Sequence, residues 1–381
     1  MPMKSLLRAI LLLLVFPVVA IPQQTVTGNF EYDGLNRTYR LYIPDSYDPG
    51  VQSPLVLNLH GYGSNNIEQE LYGDFRPVAD TAGFLVVHPN GTPDAFNIMH
   101  WNTFGTSNVD DVGFLSALID TLSANYNINP KRVYSTGMSN GGFMSFSLAC
   151  FLSDRIAAIA SVTGTMISAN LSACMPSRPV PILQIHGTAD GTVPYDGNLL
   201  FVSVQALLNY WIGHNSCDTS PIITDLPDLD PDDGCTARHY LWANGDAGSV
   251  VEHYRIIGGG HSWPGAPINI NITNMDFSAS EEIWRFFSSY DLDGLVTTTG
   301  ELGKETDFVK AYPNPGNELV TLRFQHPGRR QVTLMDLSGR AITTVVSEND
   351  EIALELPSAG MFIARIEEQS HIYSIKMIRS H

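Results

Sequence analysis

Positive charge is what this chain has least of. Its 381 residues carry 21 Lys and Arg against 39 Asp and Glu, a formal net charge of −18 at pH 7. Nucleic acid and anionic lipid need Lys or Arg to neutralise their phosphates, so this balance argues against both as partners. Cysteine is scarce too: Cys150, Cys174, Cys217 and Cys235 are the whole complement. No C-x-x-C occurs and the spacings do not suit zinc; no metal or other cofactor is expected. An even count in an exported chain favours disulfides, and proximity favours the pairs Cys150–Cys174 and Cys217–Cys235. Internal repeats and low-complexity tracts are missing, which sets solenoids aside. Asp228–Gly234 is acidic, but its glycine is one place late for a calcium loop and the twelfth position is His239 rather than Glu, so a solvated turn is expected.

What is present begins with a leader. Lys4 and Arg8 precede the apolar run Ala9–Val19, which Pro17 interrupts and which ends in small residues at Ala20. A basic start, a short apolar core and a small-residue cleavage site read as a signal peptide over residues 1–20, with no membrane span left in the mature chain. Its removal takes the charge from −18 to about −20. No cysteine follows the site, so lipoprotein processing is not expected.

Residues 21–295 read as one α/β domain. Two alternating runs around Asp33-Gly34 form a hairpin signal over 28–43. Pro54–His60, Phe84–Pro89, Val133–Thr136, Ile156–Val162 and Pro181–His186 are mostly apolar strands, as in a sheet covered on both faces. Val250–Ile257 alternates, which places it nearer an edge. Helical stretches fall between them. Phe75–Ala82 closes at Gly83, Asp110-Asp111 caps a helix with Val112, Leu115, Leu118, Ile119 and Leu122 on one face, and Ser278–Glu281 is a capping box. This alternation predicts a mostly parallel sheet with helices on both faces. Residues 296–307 are polar and aperiodic, a linker. Residues 308–381 hold only short alternating runs separated by turns such as Ser338-Gly339, a small all-β sandwich.

One stretch organises the larger domain. Arg132–Phe143 runs from a β-prone segment through Gly137-Met-Ser139-Asn-Gly141 into a helical one, the strand–turn–helix context of a nucleophile elbow. A serine hydroxyl is a poor nucleophile near neutral pH and needs a base, a carboxylate to orient that base, and donors for the oxyanion. On this kind of sheet the acid and then the base follow later strands. Asp190 lies just past the strand ending at His186, with Asp196 its nearest competitor. His261 follows the last strand across Gly258-Gly-Gly260; His60 and His186 come in the wrong order for the base. The amide after the nucleophile, on Asn140, and that of Tyr62 in His60-Gly-Tyr-Gly63 are the expected oxyanion donors. Trp101 and Trp263 are candidates to flank the pocket and stack on a flat acyl group.

Gly137-Met-Ser-Asn-Gly-Gly142, His186-Gly-Thr-Ala-Asp-Gly-Thr-Val-Pro-Tyr195 and Gly258-Gly-Gly-His-Ser-Trp-Pro-Gly265 resemble the secreted polyhydroxybutyrate depolymerase and feruloyl esterase group, carbohydrate esterase family one. Val109–Phe114 and Trp284–Phe287 match it as well, so the resemblance covers roughly residues 25–295. It implies an α/β-hydrolase fold and a serine carboxylesterase with Ser139, Asp190 and His261 as its triad and no metal. The implied substrate is a feruloyl or acetyl ester on plant polysaccharide, with a polyester as the rival. A serine peptidase or a non-catalytic surface-binding protein on the same fold stands further off. Ala311-Tyr-Pro-Asn-Pro315, Leu334–Gly339 and Leu356–Gly360 are similar to the sorting domain of the type-nine (Por) secretion system, which implies export, a cell-surface or extracellular location and contact with secretion machinery.

Overall fold

The computed structural model describes residues 24–296 and, apart from a few turn residues, 309–379; Asn269 is also left out. The proposed leader and linker fall outside the described residues. The first body is built on a ten-stranded sheet. Its strands are β1 (Gln24–Tyr32), β2 (Leu35–Ile43), β3 (Ser53–Leu59), β4 (Leu85–Pro89), β5 (Ile128–Met138), β6 (Ala158–Val162), β7 (Ile182–Gly187), β8 (Ile222–Asp225), β9 (Thr236–Trp242) and β10 (Val251–Ile257). Across the sheet they run β1-β2-β4-β3-β5-β6-β7-β10-β9-β8. From β4 to β10 every neighbouring pair is parallel, and an antiparallel pair closes each end.

The central strands are buried along their whole length because helices cover both faces. The helices are α1 (Asn66–Tyr72), α2 (Arg76–Ala82), α3 (Asp111–Asn125), α4 (Asn140–Phe151), α5 (Ser168–Ala173), α6 (Val204–His214) and α7 (Ala279–Ser288). Phe114, Leu118, Phe146 and Trp211 pack one face, from α3, α4 and α6. Phe75, Ile283, Phe286 and Phe287 pack the other, from α7 and the turn before α2. Asp33 and Gly34 both take positive φ, 48° and 72°, which closes the β1–β2 hairpin where the alternation placed it. Gly83 ends α2 at φ 72°, and the Asp110 carboxylate caps α3 by accepting from the Gly113 amide at 2.8 Å.

Two expectations are corrected here. Strand β10 is not near the edge, because β9 and β8 pair outside it. The same two strands undo the second disulfide. Cys150 and Cys174 are bonded, with Cα atoms 4.9 Å apart, but Cys217 and Cys235 are free and buried. Cys217 packs with the α6 face, near the Ser249 carbonyl. Cys235 packs with the α7 face, near Asn274. Strand β9 begins right after Cys235 and runs away for seven residues, roughly 23 Å at ~3.3 Å per residue, before the chain returns to Cys217's end. A disulfide tolerates no more than about 7 Å between Cα atoms.

The C-terminal body has seven strands among its described residues: β11 (Val309–Tyr312), β12 (Leu319–Phe324), β13 (Arg330–Met335), β14 (Ala341–Ser347), β15 (Glu351–Glu355), β16 (Gly360–Glu368) and β17 (His371–Arg379). They form sheets β11-β12-β15 and β14-β13-β16-β17, with Val320, Leu322, Leu334, Phe362 and Ile366 between them. That is the expected sandwich.

Candidate active site

Four loops leave the carboxyl ends of β3, β5, β7 and β10, and the parallel order of those strands sets them close together. The β5 loop is a single sharp turn. Ser139 takes φ 53° and ψ −119°, a strained conformation for a residue with a side chain. Its amide donates to Val162 O at 2.8 Å and its carbonyl accepts from Phe143 N at 3.0 Å, so strand β6 and helix α4 both hold the turn. The flanking glycines are obligatory. A Cβ at Gly137 would lie 2.5 Å from Leu59 O, and one at Gly141 would lie 2.1 Å from the same atom.

The β7 and β10 loops meet at a buried carboxylate. Asp190 Oδ2 accepts from His261 Nδ1 at 2.7 Å, and Oδ1 accepts the amides of Thr192 and Val193, each at 2.8 Å. His186, set aside as the base because of its order in the chain, is a further partner. Its Nε2 is 3.3 Å from Asp190 Oδ2 and 2.8 Å from Val193 O, while its Nδ1 meets Gln184 Nε2 at 2.9 Å. The Gln184 amide can only donate there, so the His186 proton sits on Nε2, facing Asp190. Burial alone would raise the Asp190 carboxyl, but the hydrogen bonds from His186 and His261 outweigh it and hold the group well below the usual carboxylate range. Asp196 makes no such contact among the described residues.

Ser139 and His261 line one cavity of about 440 Å³. Tyr62, Leu71, Tyr72, Met138, Ile268 and Ile270 supply its apolar wall, and Ser64, Glu68, Gln69 and Asn271 its polar one. The segment after His261 folds back over it. Gly260 N and Ser262 Oγ both donate to Ile272 O, at 2.9 and 3.0 Å, which sets Ile268 and Ile270 at the mouth. The amides of Tyr62 and Asn140 have no acceptor among the described residues. The Asn140 side chain is instead clamped to the backbone of Trp101, accepting at 2.7 Å and donating at 3.1 Å.

Both tryptophans differ from expectation: neither lines the cavity, and each is essentially fully buried. Trp101 donates from Nε1 to His60 O at 3.0 Å and packs against the His60 ring, so it ties the Tyr62 loop to the turn at Ser139. His60 itself is neutral, pushed down to about 4 by burial; its Nδ1 donates to Gly61 O and its Nε2 accepts from Gly91 N. The Trp263 amide donates to Tyr72 OH at 3.1 Å, and its ring packs edge-on to Phe75. The acidic segment Asp228–Gly234 is a turn tied down by Asp276, which accepts from Leu229 N at 2.7 Å.

Comparison with known proteins agrees with this architecture. Residues 49–219 match the phospholipase/carboxylesterase family, and residues 310–380 match the secretion system C-terminal sorting domain. A bifunctional acetylxylan esterase/xylanase of Neocallimastix patriciarum is 29% identical over 284 residues, spanning 74% of this chain and 38% of that longer protein. Feruloyl esterase D of Neurospora crassa is 27% identical over 277 residues, 70% of this chain and 86% of its own. A probable feruloyl esterase C of Aspergillus niger is 29% identical over 261 residues, 66% and 83% respectively. A solved acetyl xylan esterase from Aspergillus awamori is 15% identical with a TM-score of 0.46, over 63% of this chain and 94% of that one. The chain is therefore similar to feruloyl esterases over its α/β-hydrolase domain and to a sorting domain beyond it, which indicates secretion.

Proposed function

We propose that this chain is a secreted serine carboxylesterase in which Ser139 is the nucleophile, His261 the base and Asp190 the acid. The observation that carries the reading is the 2.7 Å bond from His261 Nδ1 to a buried Asp190 carboxylate, beside a strained Ser139 on the same cavity. With its proton held on Nδ1 by Asp190, His261 presents the Nε2 lone pair to the serine hydroxyl. Ser139 Oγ adds to the ester carbonyl as its proton passes to His261. The oxyanion is received by the amides of Tyr62 and Asn140, and His261 returns the proton to the departing alcohol. Water then enters by the same route, deprotonated by His261, and releases the acid and free Ser139.

The substrate we infer is a feruloyl ester on plant polysaccharide. An acetyl group would leave most of the 440 Å³ cavity empty, whereas a planar aromatic acyl group fills such an apolar slot. The relatives named for feruloyl ester hydrolysis support the same choice. A polyester is the second reading, favoured by the apolar rim of Ile67, Leu71, Ile268, Ile270 and Ile272, each more than two-fifths exposed. Purified protein assayed on methyl ferulate, acetylated xylan and polyhydroxybutyrate separates these. Methyl ferulate should be turned over fastest, and hydrolysis of the polyester alone would overturn the first choice. Ser139→Ala should abolish hydrolysis of every ester, on the order of 10⁶-fold in kcat; unchanged hydrolysis of a nitrophenyl ester would remove the triad assignment.

A further inference from the structure

A second cavity, of about 530 Å³, lies between α6 and strands β9 and β10 and shares no lining residue with the cavity at Ser139. One wall is a continuous aromatic face. Tyr240 stacks on Trp242 at 5.9 Å and, across the ladder, on His253 at 6.0 Å. Tyr195 extends the face, 5.8 Å from the His253 ring. Helix α6 brings Gln205 and Asn209 to the same cavity. The Gln205 amide donates to Asn209 Oδ1 at 2.9 Å, which leaves the Gln205 carbonyl and the Asn209 NH₂ for another partner.

Arg255 is the unusual member of this lining. The other guanidiniums between residues 24 and 296 all donate to an oxygen. Arg255 has no oxygen acceptor among the described residues. Its guanidinium lies 5.3 Å from the Tyr195 ring, and its Nε is buried without a hydrogen-bond partner. A buried donor left unmet is costly, more so when charged. In a chain of net charge −18, carboxylates to pair it are plentiful, yet none among the described residues is placed there.

We propose that this cavity binds a sugar unit bearing a carboxylate, a hexuronate. Its carboxylate pairs with the Arg255 guanidinium, whose planar fork suits two parallel bonds. The flat C–H face of the ring lies on Tyr240, and the ring hydroxyls meet Gln205 and Asn209. A neutral sugar would leave Arg255 unmet, and a purely apolar ligand would strand the two amides. The site does not depend on which bond Ser139 attacks.

Calorimetric titration of the full chain carrying Ser139→Ala tests it, with D-glucuronate, D-glucose and acetate as probes. Glucuronate should saturate in the millimolar range or tighter, with glucose and acetate each at least about tenfold weaker. Arg255→Gln should weaken glucuronate by about tenfold or more and leave glucose unchanged. Because Arg255 is half-buried, the exposed Gln205→Ala and Asn209→Ala variants are measured beside it, and each should weaken glucuronate a few-fold, with thermal melts confirming that all variants are folded. No saturable glucuronate signal overturns the proposal. So does glucose binding as tightly as glucuronate, which removes Arg255, or acetate doing so, which removes the sugar.

Discussion

Two buried carboxylates on adjacent strands of one sheet, Asp190 just beyond β7 and Glu252 on β10, are each hydrogen-bonded by a histidine, yet their surroundings give them different work. Glu252 accepts from His239 at 2.9 Å and from Arg285 on α7 at 2.5 Å, and Arg285 also reaches Glu282. Burial would raise the Glu252 carboxyl, but the Arg285 charge and His239 bring it down to about 2. A permanent cation thus neutralises it, and the pair fastens α7 to the sheet. Asp190 has no such cation. Two histidines and two backbone amides hold it, and one of those histidines opens onto the cavity. In the mechanism we propose, its charge stabilises an imidazolium that exists only while Ser139 is reacting. Similar burial with different counterions separates a fastener from a reagent.

Substitutions that keep shape and remove charge test that division most severely. Asp190→Asn should lower kcat on methyl ferulate by on the order of 10⁴-fold, because the amide favours the wrong histidine tautomer, and a loss below tenfold would equate the two carboxylates. His186→Gln should lower kcat by about tenfold with KM little changed, since it removes a donor from Asp190 rather than a contact to substrate; an effect confined to thermal stability would make His186 a core residue only. Glu252→Gln should leave kcat within about twofold while costing about 3 kcal/mol in denaturant unfolding, because Arg285 loses its buried partner.

The pH dependence of that last effect has a definite sign. Glu252 is depressed to about 2 in the folded chain from an ordinary value of 4.5, so it contributes its stability above about 4.5 and loses it as pH falls toward 2. The gap between wild type and Glu252→Gln should narrow across that window, and a constant gap would show that Glu252 acts through packing. The smallest effect concerns the two thiols that did not pair. Burial pushes Cys217 up to about 11 and Cys235 up to about 12, so neither should react with a thiol reagent until the chain is unfolded, when two thiols per chain should appear.

The elements that the sequence disclosed were those written in local signals. Gly137-x-Ser139-x-Gly141, the aspartate and serine caps, and the loops carrying Asp190 and His261 each follow from a few neighbouring residues. What stayed hidden depends on which strands become neighbours. His186 looked like a strand-end residue because only the turn back to Val193 brings Asp190 over its ring. Trp101 and Trp263 looked like pocket walls because aromatic residues near catalytic loops serve equally as wall or foundation, and only burial distinguishes them. The Cys217–Cys235 pairing failed because closeness in sequence ignores a strand running between the two. Arg255 gave no signal at all, since an arginine alternating along a strand reads as ordinary surface charge.

The carbonyl of Leu59 ends β3 and blocks a side chain at both Gly137 and Gly141. The next residues along are His60, Gly61 and Tyr62, which carry one of the two amides we assign to the oxyanion. Backbone touching backbone therefore fixes the spacing between nucleophile and donor, with no rotamer in between. Like two parts machined against a common stop, they tolerate wear elsewhere: substitutions on the surface of the sheet or its helices can accumulate without loosening that gauge, and the only residues able to reset it are glycines that accept no replacement.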